Sequence, residues 1–310
     1  MSFQITFLGT AASIPTSTRA LSSVAVQRQG ELFLFDCGEG TQRQMIQAKI
    51  GFNRKTKIFI THMHGDHVLG LPGLLQTMSL LGRNKTLQIF GPKGIVNFVE
   101  AIITTVEFSL SFTIEACEIQ NEGLVLREKE YEIQSTWADH SIPCLAYALI
   151  EKPRSGKFHP ERAAALGVPK GPLWHKLQIG KKIKLEDGRI IKPQDVVDPQ
   201  RPGRKIVIVS DTKPSEAIAK FAANADVLVH EATFADVLLD RAEEDKHSTP
   251  SGAATIAKKA GVKSLILTHI SARYGDSEIL LQEAKKVFPN TIIAEDFLRI
   301  NVPLKNFKDG

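Results

Sequence analysis

The chain has 310 residues, 43% of them apolar and 24% charged, an ordinary composition for a globular protein with ample length to bury a core. No apolar run approaches the ~18 residues needed to cross a bilayer, the first nine residues lack the basic stretch and long apolar core of a signal peptide, and three scattered cysteines, Cys37, Cys117 and Cys144, argue against a disulfide framework. A reducing cytoplasm with the cysteines in packing roles fits these features, and the net charge of +5 permits a polyanionic partner without demanding one.

Taken in order, residues 4–8, 23–26 and 31–35 read as strands, the last ending in Asp36-Cys37-Gly38-Glu39-Gly40-Thr41. Helical spacing follows over 42–50 and stops at Gly51. The run 57–61 predicts a short buried strand, bounded beyond its end by Gly70, Pro72 and Gly73. That end carries His62, His64, Asp66 and His67 within six residues. His62 and His64, two apart in extended chain, point to the same side. Imidazoles mixed with a carboxylate suit Zn²⁺, with Mn²⁺ or Fe²⁺ as alternatives. Next come a helix over 74–81, a strand over 87–92 and an amphipathic helix over 95–105. Residues 112–135 alternate irregularly, as strands joined by turns around 121–123 do. Trp137, a core side chain by position, precedes Asp139-His140-Ser141, and 145–150 reads as another strand.

Residues 152–204 differ from the rest. They hold 13 of the 39 basic residues, 5 of the 34 acidic ones and 7 of the 15 prolines, a net charge of +8 against −3 elsewhere. Pro160 and Gly167 bracket a short helix. Residues 182–185 and 189–192 flank Asp187-Gly188 closely enough for a hairpin. His159 and His175 read as surface residues. Beyond this segment the strands 205–210, 226–229 and 264–268 alternate with helices over 214–223, 250–260 and 277–287, which predicts an α/β fold. These strands end in Asp211, in His230-Glu231 and in His269. One aspartate after a strand is ordinarily a turn or cap residue. Recurrence is different: strands running to a common rim gather such residues in one place.

The run His62-Met63-His64-Gly65-Asp66-His67 resembles the His-x-His-x-Asp-His pattern of the metallo-β-lactamase superfamily. Within it, Asp36-Cys37-Gly38-Glu39-Gly40-Thr41-Gln42, Asp139-His140-Ser141, Ser210-Asp211-Thr212, His230-Glu231-Ala232-Thr233, His247-Ser248-Thr249 and Leu267-Thr268-His269 are similar to the ribonuclease Z family, and the likeness covers essentially 3–303. The resemblance implies an αββα sandwich with an inserted, protruding arm at 152–204 inside a single domain. It implies one zinc on His62, His64 and His140, a second on Asp66, His67 and His269, and Asp211 bridging them. Two divalent ions less two carboxylates leave +2, which balances one anionic nucleophile and one phosphodiester. Asp66 is then placed to orient the attacking water, His247 to protonate the leaving oxygen and Glu231 to orient His247. From its surroundings alone His247 is equally a solvated loop residue after Glu243-Glu244-Asp245. Asp36 is expected to hold the strand end without binding metal.

The implied activity removes the 3′ trailer from precursor tRNA, leaving a 3′-hydroxyl on the tRNA and a 5′-phosphate on the trailer. The implied assembly is a cytoplasmic homodimer in which one subunit's arm serves the other's site. Gly167-Val168-Pro169-Lys170-Gly171-Pro172 resembles the glycine-proline motif of the family's arm, so Lys170, Gly171, Lys181 and Lys182, with Arg19 and Arg273 elsewhere, are expected to meet RNA. One departure stands out: in the loop Pro15-Thr16-Ser17-Thr18-Arg19-Ala20, Ser17 and Ala20 replace the family's Lys and Asn. That leaves open how precursors already encoding CCA are handled. Two rivals stand beside this reading. A small-molecule phosphodiesterase of the same fold has no use for a +8 insertion, and a tRNA-binding subunit without catalysis has no use for a full set of metal ligands.

Overall fold

The computed structural model describes residues 3–304. Among them lie two seven-stranded sheets. The first runs Arg299–Asn301, Phe3–Gly9, Ser23–Arg28, Glu31–Phe35, Lys55–Phe59, Leu87–Gly91, Ile114–Glu118, antiparallel through Glu31–Phe35 and parallel beyond it. The second runs Thr291–Ile293, Leu265–Thr268, Val227–Glu231, Lys205–Val209, Cys144–Glu151, Tyr131–Ala138, Gly123–Arg127. Its first four strands are parallel, and Lys205–Val209 then pairs antiparallel with Cys144–Glu151.

Alternation along the strands sorts side chains into three layers. Phe33 and Phe35 meet Ile206 and Ile208 of the other sheet in the central core. Leu32 and Leu34 face outward, onto the helices Thr41–Gln47, Leu71–Leu80 and Ile95–Thr105. Val207 and Val209 face the opposite way, onto Glu216–Phe221, Pro250–Ala260 and Glu278–Val287. The architecture is therefore helix, sheet, sheet, helix. Each fully buried Val, Leu, Ile or Phe contributes about 1.5–3 kcal/mol, so three such layers hold the strand ends rigidly.

Helix 71–80 begins three residues earlier than the expected 74, because Pro72 sits in its first turn, where a missing N–H costs nothing. Residues 65–68 form a one-turn helix that spacing alone did not reveal. The irregular 112–135 region resolves into Ile114–Glu118 in one sheet and the hairpin Gly123–Arg127 with Tyr131–Ala138 in the other. Cys117, expected to pack, is exposed, because it lies on the edge strand Ile114–Glu118. Cys37 and Cys144 are buried as expected.

The chain forms two compact units: the sandwich, made of Met1–Ile150 with Lys205–Pro303, and a second that contains Glu151–Arg204. Ile150 and Lys205, the residues of the sandwich that flank this stretch in sequence, are register partners. The second unit has its own small core of Ala163, Val168, Leu177, Ile183, Ile191 and Val196. The short helix Pro160–Ala165 and the pairing of Ile183–Lys184 with Ile190–Ile191 match expectation, whereas Pro172–Gln178 and Pro193–Val196 are additional helices. The first and last residues of this stretch, Glu151 and Arg204, form a fully buried two-point ion pair, Nε–Oε2 2.7 Å and Nη2–Oε1 2.8 Å. His159 is not a free surface residue: its ring nitrogens lie 2.9 Å from Glu161 and 2.8 Å from Asp198.

Candidate metal centre

Five strand ends deliver the site. Lys55–Phe59 runs into Ile60, Thr61 and His62, and this exit is pinned across the sandwich by Tyr147, whose hydroxyl donates to the Ile60 carbonyl at 2.6 Å. Asp211 follows Lys205–Val209 by two residues, Glu231 ends Val227–Glu231, and His269 follows Leu265–Thr268. His140 lies just past Tyr131–Ala138 and His247 between Leu239–Glu244 and Pro250–Ala260. All the expected metal-ligating residues converge here. Ligand atoms of His62, His64, His140 and Asp211 form one cluster, those of Asp66, His67 and His269 another, each within 4.8 Å.

Asp211 joins the two clusters with one oxygen each. Its Oδ2 lies 3.6 Å from His62 Nε2 and 3.7 Å from His140 Nε2. Its Oδ1 lies 3.6 Å from His67 Nε2 and 3.3 Å from His269 Nε2. Asp66 Oδ2 faces the same two rings at 3.3 and 3.5 Å. His64 Nδ1 is 3.0 Å from His62 Nε2 and 3.3 Å from His140 Nε2.

Outer nitrogens of four of these rings are tied down, three of them by groups the sequence did not single out. His62 Nδ1 meets the Thr61 hydroxyl at 3.0 Å, His140 Nδ1 the Lys246 carbonyl at 3.1 Å and His269 Nδ1 the Thr233 hydroxyl at 2.9 Å. His67 Nδ1 meets Asp36 Oδ2 at 2.8 Å, and the same carboxylate accepts the Thr61 N–H and O–H. Asp36 thus stands behind the ligands and holds them, as expected. Hydrogen bonds of this kind fix which nitrogen of a metal-binding histidine carries its proton. The inner nitrogens of His67 and His269 are buried without a hydrogen-bond partner. Unsatisfied buried nitrogens converging on two carboxylates form a donor set that fits borderline-soft divalent ions.

Electrostatics agree. Burial, reinforced by the neighbouring imidazoles, pushes His62 down to about 2. Burial disfavours charge on Asp211 as well, but His269, His67 and His62 outweigh it and hold the carboxyl below its ordinary value. Burial likewise opposes the charged form of His247, yet Glu231 overcomes it and raises the imidazole to about 9. Glu231 Oε1 lies 2.8 Å from His247 Nδ1, and the His247 ring stands 4.0 Å from Asp211 Oδ2. The solvated-loop alternative for His247 is thereby set aside. Cys144, 3.7 Å from His62 Nδ1, has its thiol pushed well up by burial and stays inert.

The residues expected to meet RNA belong to both units. Arg273 stacks 4.7 Å from the Phe234 ring centre and lines a cleft of about 250 Å³ with Ser13, Ile14 and His247. Arg19 is engaged internally, donating to Thr10 Oγ1 at 2.7 Å, the Ala294 carbonyl at 2.6 Å and Ser277 Oγ at 3.3 Å. Lys170, Gly171, Lys181 and Lys182 are exposed on the Glu151–Arg204 unit. Among the described residues no helix is long and apolar enough to cross a membrane.

Several known proteins resemble this chain. A family described as anti-Pycsar protein Apyc1 matches residues 3–101. The ribonuclease Z of Methanosarcina acetivorans is 47% identical over 303 residues, 97% of this chain and 99% of the relative. That of Gemmatimonas aurantiaca is 45% identical over 306 residues, covering 98% and 97%. Among solved structures, human tRNase Z, short form, has a TM-score of 0.71 at 30% identity, covering 97% of this chain and 100% of the other. The metallo-β-lactamase fold protein YhfI from Bacillus subtilis has a TM-score of 0.68 at 19% identity, with 97% and 100% covered, a likeness of fold alone.

Proposed function

The chain belongs to the ribonuclease Z family, and from that premise we propose that it is a zinc-dependent endoribonuclease that removes 3′ trailers from precursor tRNA. The cut falls after the discriminator base and leaves a 3′-hydroxyl on the tRNA. The observation that carries this reading is Asp211, which offers one carboxylate oxygen to each of two histidine clusters.

In this reading His62, His64 and His140 would hold one ion and Asp66, His67 and His269 the other, with Asp211 placed between the two clusters. When bound, such an ion pair lowers the pKa of water and stabilises the attacking and leaving oxygens of an in-line displacement at phosphorus. Asp66 has a second task. Its Oδ2 accepts the Ser13 N–H at 2.9 Å, which fixes a carboxylate able to orient the water and take its proton. His247, whose Nδ1 is engaged by Glu231, presents Nε2 as the acid for the departing 3′-oxygen. The Glu151–Arg204 unit is the tRNA-binding arm, its 13 Lys and Arg serving phosphate contacts that give affinity with little sequence readout. The assembly is a homodimer in which each arm serves the partner's site.

Product mapping on an end-labelled precursor tRNA tests this with zinc-loaded wild type, Asp66→Ala and a deletion of 152–204. One cut beside the discriminator, absent from Asp66→Ala, is the expected result. The arm deletion should lose tRNA cleavage yet still hydrolyse a small chromogenic diester. Intact precursor beside rapid small-diester turnover by wild type would overturn the reading in favour of a small-molecule phosphodiesterase. Tight tRNA binding without any hydrolysis would make the protein a binding subunit.

A further inference from the structure

One hydroxyl joins the two halves of the chemistry just described. Thr233 is 4% exposed, and its Oγ1 lies 2.6 Å from Glu231 Oε2, 2.9 Å from His269 Nδ1 and 3.2 Å from the His269 carbonyl. A hydroxyl has one proton to give and two lone pairs to receive with. The carboxylate and the carbonyl only accept, so they compete for that proton. The shorter, charge-assisted bond to Glu231 wins it. The hydroxyl oxygen can then only accept from His269, and so His269 carries its proton on Nδ1. The lone pair of His269 Nε2 is thereby aimed at Asp211 Oδ1, 3.3 Å away, and at Asp66 Oδ2, 3.5 Å away. That nitrogen is buried and has no hydrogen-bond partner of its own.

The same proton completes the binding of Glu231. Its Oε1 receives the Thr212 N–H at 2.9 Å and the His247 ring at 2.8 Å, and its Oε2 receives the Thr233 N–H at 3.1 Å and the Thr233 hydroxyl. Held on both oxygens, the carboxylate has no freedom to turn.

We propose that Thr233 is a positioning residue that links metal retention at His269 to the setting of the Glu231–His247 acid pair. This rests on the metal reading of His269. Removing the hydroxyl frees His269 to carry its proton on Nε2, where it cannot hold an ion, and loosens Glu231 behind His247. Both effects follow from one group, so they move together.

The test compares full-length wild type, Thr233→Val, Thr233→Ser and His269→Ala. Zinc affinity is read by competition with a chromophoric chelator, and kcat and KM are read at saturating zinc. Thr233→Val, close in shape but without the hydroxyl, should weaken zinc by about 10–100-fold, the range for losing such an outer partner. It should also lower kcat with KM unchanged, and Thr233→Ser should restore both. Wild-type zinc affinity and kcat in Thr233→Val would overturn the proposal. So would equal losses in the Val and Ser variants, since the methyl packing would then be responsible. If His269→Ala kept wild-type zinc affinity, the metal reading itself would fail. If it lost zinc while Thr233→Val did not, only the role of Thr233 would. The ¹⁵N shifts of His269 in zinc-loaded wild type give an answer independent of any variant's folding: zinc on Nε2 with the proton on Nδ1 supports the proposal, and zinc on Nδ1 or on neither nitrogen overturns it.

Discussion

At the scale of single residues, the site is a set of histidines, four of which (His62, His67, His140 and His269) have their outer nitrogens engaged, and two of these, His67 and His269, bury an inner nitrogen without a partner. Two predictions belong here. His247→Ala should lower the cleavage rate about 10²–10⁴-fold, the usual worth of a positioned acid, with zinc content unchanged. Single-turnover cleavage beside metal analysis checks both halves of that statement. Asp36→Ala should act differently, because Asp36 supports His67 and the Thr61 backbone from behind. Its loss should weaken zinc about 10–100-fold, read by chelator competition, and full activity should return at high zinc. His62, His64, Asp66 and His67 were legible from residue type and spacing and Asp211 and His269 from their place at strand ends, whereas His140 and His247 came from the family resemblance. Thr61, Thr233 and the Lys246 carbonyl were legible in neither way, since a threonine or a peptide oxygen has no signature until a ring nitrogen is about 3 Å away.

At the scale of elements, the Glu151–Arg204 unit is closed by a buried ion pair and carries a polar link at His159. Breaking a buried pair strands the partner charge, which typically costs about 3–5 kcal/mol. Arg204→Ala should therefore unfold at markedly lower denaturant, while replacing both partners with apolar residues of similar volume should recover most of the loss. The His159 link is weaker and depends on pH. Its hydrogen bond to Asp198 holds that carboxyl below its ordinary value. A carboxyl with a depressed folded pKa contributes stability above its unfolded value and loses it as the pH falls through the folded one. Emission from Trp174, packed against Phe158 at 5.3 Å within the same unit, should change as the pH drops below the ordinary aspartate range. An Asp198→Asn variant should show no such change. Strands and long helices were legible here, while Pro172–Gln178 and Pro193–Val196 were hidden by the prolines that open them, which read more readily as loop punctuation.

At the scale of the whole molecule, the charge asymmetry predicts how RNA binding responds to salt. Each lysine–phosphate pairing that is removed should lower the slope of log affinity against log salt by roughly one. Replacing Lys170, Lys181 and Lys182 with Ala should therefore flatten the salt dependence of tRNA binding and leave hydrolysis of a small diester unaltered. Filter binding across a salt series measures the first, and a chromogenic assay the second.

The sequence by itself determined the alternation of strands and helices, the basic segment at 152–204 and the strand-end histidines and aspartates that could hold a metal, because periodicity, charge and the chemistry of imidazole and carboxylate are local properties. Tertiary structure gathered those residues, in the division that the family resemblance implied, and fixed their contacts. Asp211 gives one oxygen to each cluster, Asp36 stands behind the ligands despite its conspicuous motif, Arg19 is engaged inside the fold, and Cys117 faces outward from an edge strand. The reason is physical. A side chain's role depends on what lies within about 3 Å of it, and here those neighbours come from strands and loops far apart in the chain, brought together only when both sheets have packed.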